Sequence, residues 1–259
     1  MDCSNGAVRK IAPKVFKKLG SEVFCTGPSR NGKKINYNCG CLNIDHLVLF
    51  MKNKELDMGF AFDGDADRVI AVDEKGNIID GDSIVYILAK YLKNSDKIIV
   101  GTTQTNSAIE EELKKTGKIF LRSDVGDKYV LEEMSKSGSN IGGEKAGHII
   151  LLNKSTSGDG VLTAITIASI VKQEKSSLSE LNDISLLPQK TVNIKTRDKP
   201  VISKPEIVSL KESLSDNCRI VLRASGTEDV IRIMCEAKSE DIVNNAINVL
   251  YSEIYRVIN

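Results

Sequence analysis
The 259-residue chain has no tryptophan, two histidines, five prolines and only 5% aromatic residues. Surfaces that grip nucleic acid by stacking need aromatic platforms, so none is expected. Neither charge is in excess: 36 Lys+Arg stand against 35 Asp+Glu, for a net +1. That leaves no basic footprint for nucleic acid or for an anionic membrane surface. No apolar run reaches the ~18 residues of a membrane-crossing helix. The longest, such as Ile84–Leu88 and Ile149–Leu152, have the length of core segments. Met1–Gly6 carries neither a signal nor a transit pattern. The six cysteines form no CxxC pair, and Cys39 and Cys41 are the nearest neighbours. With only His46 and His148 to assist them, a zinc site is not expected; reduced thiols in the cytoplasm are. What is present, 41% hydrophobic and 27% charged residues, is ordinary globular usage. It excludes a disordered tail, a fibre and a disulfide-built mini-protein, and the length suits two or three small α/β domains.

Periodicity divides the chain into three segments. In the first, apolar residues at Val8, Ile11, Ala12, Val15, Phe16 and Leu19 predict a helix over 7–19, with Gly20 at its end. Glu22–Cys25 reads as a strand and Thr26–Cys41 as a polar loop. Ile44, Leu47, Val48 and Met51 restore helical spacing. Met58–Phe62 and Val69–Asp73 read as strands, and Asp73–Asn77 as a hairpin turn into Ile78 and Ile79. From Asp80, helices are predicted over 83–92 (capped by Asp82), 107–115, 127–137 and 160–172. They alternate with strands at 97–100, 119–121 and 149–152, and 178–188 descends into a linker. The last segment reads β-α-β-β-α, with Ser203 to Glu206 spaced as a capping box. The expectation is two consecutive α/β mixed-sheet domains, 1–79 and 80–187, followed by an α+β domain, 188–259.

Four motifs carry chemistry. Asp63-Gly64-Asp65-Ala66-Asp67-Arg68 sets three carboxylates at alternate positions, separated by the two smallest side chains. A tight turn can aim all three at one point, where like-charge repulsion favours a bound cation. Hard oxygen donors with positions left over suit Mg²⁺. An EF-hand is excluded, because Arg68 stands where its turn glycine belongs and strands flank the loop. A D-x-D-x-T phosphatase would make Asp63 a nucleophile, but Asp67 replaces the threonine. A solvated acidic turn is the plain alternative. Arg223-Ala224-Ser225-Gly226-Thr227-Glu228, with Arg232 in the strand beyond, offers hydroxyls, amides and two guanidinium groups to a phosphate or carboxylate. It equally reads as a capped turn with surface arginines. Gly142–His148 is a glycine-rich loop whose Glu144 can accept from sugar hydroxyls, or a flexible hairpin. Val125–Tyr129 opens a helix, and an N-cap role would by itself explain Asp127.

In this order the motifs resemble the α-D-phosphohexomutase family, and its phosphoglucosamine mutase branch in particular. Asp63–Arg68 matches the family's metal loop D-G-D-x-D-R. Gly143–His148 is similar to its sugar loop G-E-x-S-G-H, and Arg223–Thr227 with Arg232 to its phosphate loop R-x-S-G-T-E-P followed by an arginine. Asp2–Ala7 resembles D-C-A-N-G-A, Asn31–Asn36 resembles N-G-x-N-I-N, Val125–Val130 resembles V-G-D-R-Y-V, and Ser157–Gly160 resembles T-G-D-G. The resemblance covers essentially the whole chain. It implies an isomerase that converts glucosamine 6-phosphate to glucosamine 1-phosphate for UDP-N-acetylglucosamine and cell-wall precursors. The route passes through a phosphoserine and a bisphosphate. Mg²⁺ would sit on Asp63, Asp65 and Asp67, with Arg68 beside the transferred phosphoryl. Glu144, Lys145, His148 and Asp127 would hold the sugar. Arg223, Ser225, Gly226, Thr227 and Arg232 would hold the phosphate not being transferred.

The sequence departs from the family pattern in three places. Ala146 replaces the sugar-loop serine, and Asp229 replaces the proline after S-G-T-E. No Ser-His pair matches the phosphoserine context S-H-N-P. The chain is therefore expected to represent domains two to four, without the N-terminal phosphoserine domain and with its first sheet edge bare. That domain is the expected partner, on the same gene or a separate chain, and the 259 residues alone are expected to be inactive. A mannose- or glucose-phosphate mutase, and a non-catalytic sugar-phosphate and Mg²⁺ binding remnant, are the rival readings.

Overall fold
Apolar spacing and end-capping residues account for most elements of the computed structural model, which describes residues 1–26, 32–93, 96–226 and 228–258. The chain packs as two compact units: Met1–Thr105 with Ile109–Ile184, and Asn106–Ala108 with Ser185–Asn259.

In the first unit, the helix expected over 7–19 is broken. A 3-10 turn, Ala7–Lys10, precedes α1, Ala12–Lys18. Pro13 has no amide to donate and fits only a first helical turn, so the helix restarts there. Gly20 follows in the left-handed region, as a helix end requires. Glu22–Cys25 forms no strand; only Thr26 bridges, to Asp2. After α2 (Asp45–Lys52), the strands β1 (Met58–Phe62), β2 (Val69–Asp73) and β3 (Ile78–Ile79) form an antiparallel sheet in that order. The outer edge of β1 is not wholly bare. Asp2 donates its amide to Phe60 and accepts from that of Phe62, both at 2.9 Å, and Thr26 pairs with Met1 on the far side.

α3 (Gly81–Tyr91) is buried from Gly81 through Ala89 and packs against β2, β3 and the second sheet. A helix apolar on every side belongs inside. Its cap is Asp80, whose side chain accepts from the Ser83 amide, and not Asp82, which is buried one step inside the helix. There follow β4 (Ile98–Thr102), α4 (Ser107–Lys115), β5 (Ile119–Ser123), α5 (Asp127–Ser137), β6 (Ile141–Gly143), β7 (Ile149–Leu151), α6 (Gly160–Glu174) and the single turn α7 (Leu178–Leu181). Sheet order is β5-β4-β6-β7, with β4 parallel to both neighbours and β7 antiparallel to β6. The sequence puts Gly142 and Gly143 in a loop, but they lie inside β6. A Cβ on Gly142 would sit 2.5 Å from Met134 Sδ, and one on Gly143 2.6 Å from Ile149 Cδ1. Glycine is there to admit neighbouring side chains, which hides the strand from any pattern of apolar residues.

The second unit is the expected β-α-β-β-α: β8 (Gln189–Lys195), α8 (Pro205–Leu214), β9 (Arg219–Ala224), β10 (Val230–Glu236) and α9 (Glu240–Ile258). Its antiparallel order is β8-β10-β9. Ile194, Ile207, Ile231, Ile233, Leu250 and Ile254 form its core. The capping box expected at Ser203 is not made. Ser203 ends a 3-10 turn, and Lys204 precedes a helix opened by Pro205. A true capping box stands at Ser177 and Glu180 instead, before α7.

Candidate metal and sugar-phosphate site
The register Phe62↔Val69 makes Asp63–Arg68 the connection between β1 and β2. Asp63 is buried, Asp67 half-buried and Asp65 exposed, and one oxygen from each lies within 4.8 Å of the others. Ala66 takes φ +64°, a left-handed turn that folds Asp65 and Asp67 toward the same side as Asp63. The stretch Asp2–Ala7 is the floor of this loop. Asp2, 1% exposed, accepts amide hydrogens from Ser4 and Gly40, each at 2.9 Å. Ala7 donates to Gly64 O at 2.8 Å, and a Cβ on Gly6 would come 2.2 Å from that oxygen.

Two basic groups face the carboxylates. Arg68 Nε donates to Asp63 Oδ2 at 2.8 Å and lies 3.4 Å from Asp67 Oδ1, while its amide reaches Asp63 Oδ1 at 3.2 Å. Burial works to lower the Arg68 pKa, but the charge of Asp63 and its hydrogen bond outweigh that and hold it above the ordinary value. His148 Nδ1 lies 3.1 Å from Asp67 Oδ2. Three convergent carboxylates, all oxygen donors, fit a hard divalent cation such as Mg²⁺.

The glycine-rich loop is sewn to the acidic loop. Val69 donates to Gly147 O and Gly81 to Lys145 O, both at 3.0 Å, and Arg68 bridges His148. A Cβ on Gly81 would lie 1.9 Å from Glu144 O. Gly160 donates to Ala66 O at 2.9 Å, and Gly158 lies against the His148 ring. Glu144 Oε1 accepts the Gly126 amide at 2.8 Å, which sets its carboxylate next to the start of α5. Gly126, at φ +134°, is the N-cap of that helix and offers no side chain. The N-cap reading of Asp127 is thereby corrected: Asp127 is the first helical residue, and it is exposed. Lys145 is half-buried and Ala146 exposed. Asp63, Asp65, Asp67, Arg68 and His148 thus form one cluster, with Glu144 and Lys145 on the adjoining glycine-rich loop and Asp127 at the start of α5.

In the second unit, Arg223 and Arg232 lie directly opposite each other on β9 and β10. Like charges in that relation are unfavourable unless an anion lies between or beside them. Glu228 partly answers, accepting from Arg232 Nη2 at 2.6 Å. Ser225 is buried; its hydroxyl accepts the Glu228 amide at 3.2 Å, and its carbonyl accepts from Lys199 Nζ at 2.7 Å. Its Oγ is therefore part of the turn that shapes the loop. Gly226 has open space where a Cβ would be. Thr227 lies outside the described residues, as does Asn31 of the Asn31–Asn36 stretch. Asp229 pairs with Arg197 at 3.4 Å.

Sequence reasoning from the residues alone missed Asp2, Gly6, Gly81, Gly126 and Gly158, which work by backbone approach or by bonding to backbone. The visible signal was small residues clustered next to acids, and its cause appears only in three dimensions.

An α/β protein with a three-carboxylate loop knit to a glycine-rich loop, and a separate arginine-bearing turn, is the class that fold and site define. The family models described as phosphoglucomutase/phosphomannomutase alpha/beta/alpha domain II, alpha/beta/alpha domain III and C-terminal domain match residues 1–76, 80–186 and 169–248. The chain belongs to this phosphohexomutase family. A phosphoglucosamine mutase of Halalkalibacterium halodurans is 42% identical over 96% of the chain, and one of Bacillus subtilis 40% identical over 98%. The chain spans 58% and 60% of their lengths. A phosphoglucomutase/phosphomannomutase family protein of Burkholderia thailandensis superposes with TM-score 0.82 at 19% identity, over 100% of this chain and 60% of that one. Aspergillus fumigatus N-acetylphosphoglucosamine mutase, solved with GlcNAc-6P and magnesium, gives 0.82 at 19%, over 99% and 61%. These two establish the shared fold. Among the described residues no helix is long and apolar enough to cross a membrane.

Proposed function
We propose that the chain is the domain II–IV portion of a cytoplasmic phosphoglucosamine mutase. The observation that carries this is the convergence of Asp63, Asp65 and Asp67 in a chain about 40% identical to phosphoglucosamine mutases along nearly its whole length. Asp63, Asp65 and Asp67 hold Mg²⁺, which when bound supplies charge neutralisation for a transferring phosphoryl group. Arg68 stays on the carboxylate cluster, placing a guanidinium at its rim. Glu144, Lys145, His148 and Asp127 orient the sugar. Arg223 and Arg232 clamp the phosphate that is not reacting, with Ser225 and Gly226 in the turn around it and Thr227 as a further phosphate contact. The phosphoryl carrier is a phosphoserine on a domain outside these 259 residues. It passes its phosphoryl to O1 of glucosamine 6-phosphate, the bisphosphate turns over, and the serine takes back the phosphoryl from O6. The domain boundaries near 79 and 187 separate the metal, sugar and phosphate loops.

The V-G-D-K-Y-V stretch at Val125–Val130 supports glucosamine over mannose or glucose phosphates. Calorimetric titration of the purified chain with the three hexose 6-phosphates, in Mg²⁺, tests this. Glucosamine 6-phosphate is expected to bind most tightly. Preference for the mannose or glucose ester overturns the substrate assignment, and binding of none of them overturns the sugar-phosphate site.

A further inference from the structure
His148 belongs by position to the sugar loop, yet its ring faces the acidic loop. The residue is 7% exposed, with Nδ1 at 3.1 Å from Asp67 Oδ2. An ionised carboxylate only accepts, so Nδ1 carries the hydrogen of this bond. The other edge of the ring lies against Gly158, where a Cβ would come 2.5 Å from both Cε1 and Nε2. Both ends of the bond are also fixed along the main chain. Arg68 bridges His148, Val69 donates to Gly147 O at 3.0 Å, and Glu144 donates to His148 O at 3.0 Å. Asp67 Oδ1, for its part, lies 3.4 Å from Arg68 Nε. The Asp67 carboxylate is thus held by one group from its own loop and one from the sugar loop.

We infer that His148 is a positioning residue for the divalent cation: its Nδ1–H orients the Asp67 carboxylate, so that cation affinity depends on a residue of the sugar loop. This rests on the reading that Asp63, Asp65 and Asp67 hold Mg²⁺. Hydrogen bonds to ligating side chains commonly set metal affinity by roughly 10- to 100-fold. The geometry also distinguishes the two ring nitrogens. An asparagine amide occupies the place of Nδ1, whereas a glutamine amide reaches toward that of Nε2, against Gly158.

The test is Mn²⁺ binding to the full chain, with no sugar present, read from the loss of the free-ion paramagnetic resonance signal. Thermal midpoints recorded alongside check folding. His148→Ala is expected to weaken Mn²⁺ binding by roughly 10- to 100-fold. His148→Asn should recover most of the loss and His148→Gln should not. Should the alanine variant fail to fold, the asparagine and glutamine pair decides. Wild-type affinity in His148→Ala, or glutamine restoring binding as well as asparagine, overturns the inference. A wild-type chain that binds no Mn²⁺ overturns the metal reading beneath it.

Discussion
Asp63 and Asp65 bring oxygens within 4.8 Å of each other but differ in everything else. Asp65 is exposed, whereas Asp63 is buried and holds both the amide and Nε of Arg68. Asp65→Ala is therefore expected to lose divalent-cation binding with an unchanged melting temperature. Asp63→Ala should lose both, with a stability cost of ~1–3 kcal/mol from the stranded Arg68 and the emptied pocket. Cation titration and thermal melts on both variants check this; equal melting losses would mean Asp63 is not structural. Gly6→Ala should weaken the cation site without touching a ligand, because its Cβ would force Gly64 O away from 2.2 Å. Glu236 gives a pH test. Burial works to raise its pKa, but hydrogen bonds from Arg219 and the Ser107 amide outweigh that and hold it below the usual carboxylate range. A depressed pKa stabilises the fold above the ordinary carboxylate value and ceases to do so as pH falls through the folded value. Glu236→Gln should thus lower the urea midpoint at pH 7, and the gap from wild type should close toward pH 3. A gap that stays constant with pH would contradict the ion pair. At this scale the convergence of the three carboxylates was legible in the sequence, because acids alternating with the smallest side chains let a tight turn bring them together. It did not show why Asp2 or Gly81 is required, since each acts on backbone far away in sequence.

Elements were legible where apolar period and breakers agreed. Asp127–Ser137 and Met58–Phe62 fall where spacing puts them. Pro13 split the first helix and two glycines concealed β6, both by backbone effects that a hydrophobic pattern does not record. The capping chemistry was readable in kind and misplaced in position. Ser203 has the right spacing but ends a 3-10 turn, and Ser177 makes the box. Because α7 is a single turn, its cap is a large share of its stability. Ser177→Ala should cost ~0.5–2 kcal/mol, and faster amide exchange over Leu178–Leu181 would report the loss. Ser203→Ala should leave exchange in α8 unchanged.

For the whole molecule, the acidic and glycine-rich loops are sewn together by main-chain bonds inside one compact unit, while the cross-strand arginines occupy the other. On the proposed reading such a chain would bind cation and sugar phosphate and draw its phosphoryl group from another domain. Within the arginine turn, the Ser225 Oγ accepts the Glu228 amide hydrogen at 3.2 Å. The decisive measurement is ³¹P NMR of glucosamine 6-phosphate incubated with the 259-residue chain, with and without the phosphoserine-bearing domain of a phosphoglucosamine mutase. A glucosamine 1-phosphate resonance is expected only when the chain, the added domain and Mg²⁺ are all present. Conversion by the chain alone, or no conversion with all three, would contradict it.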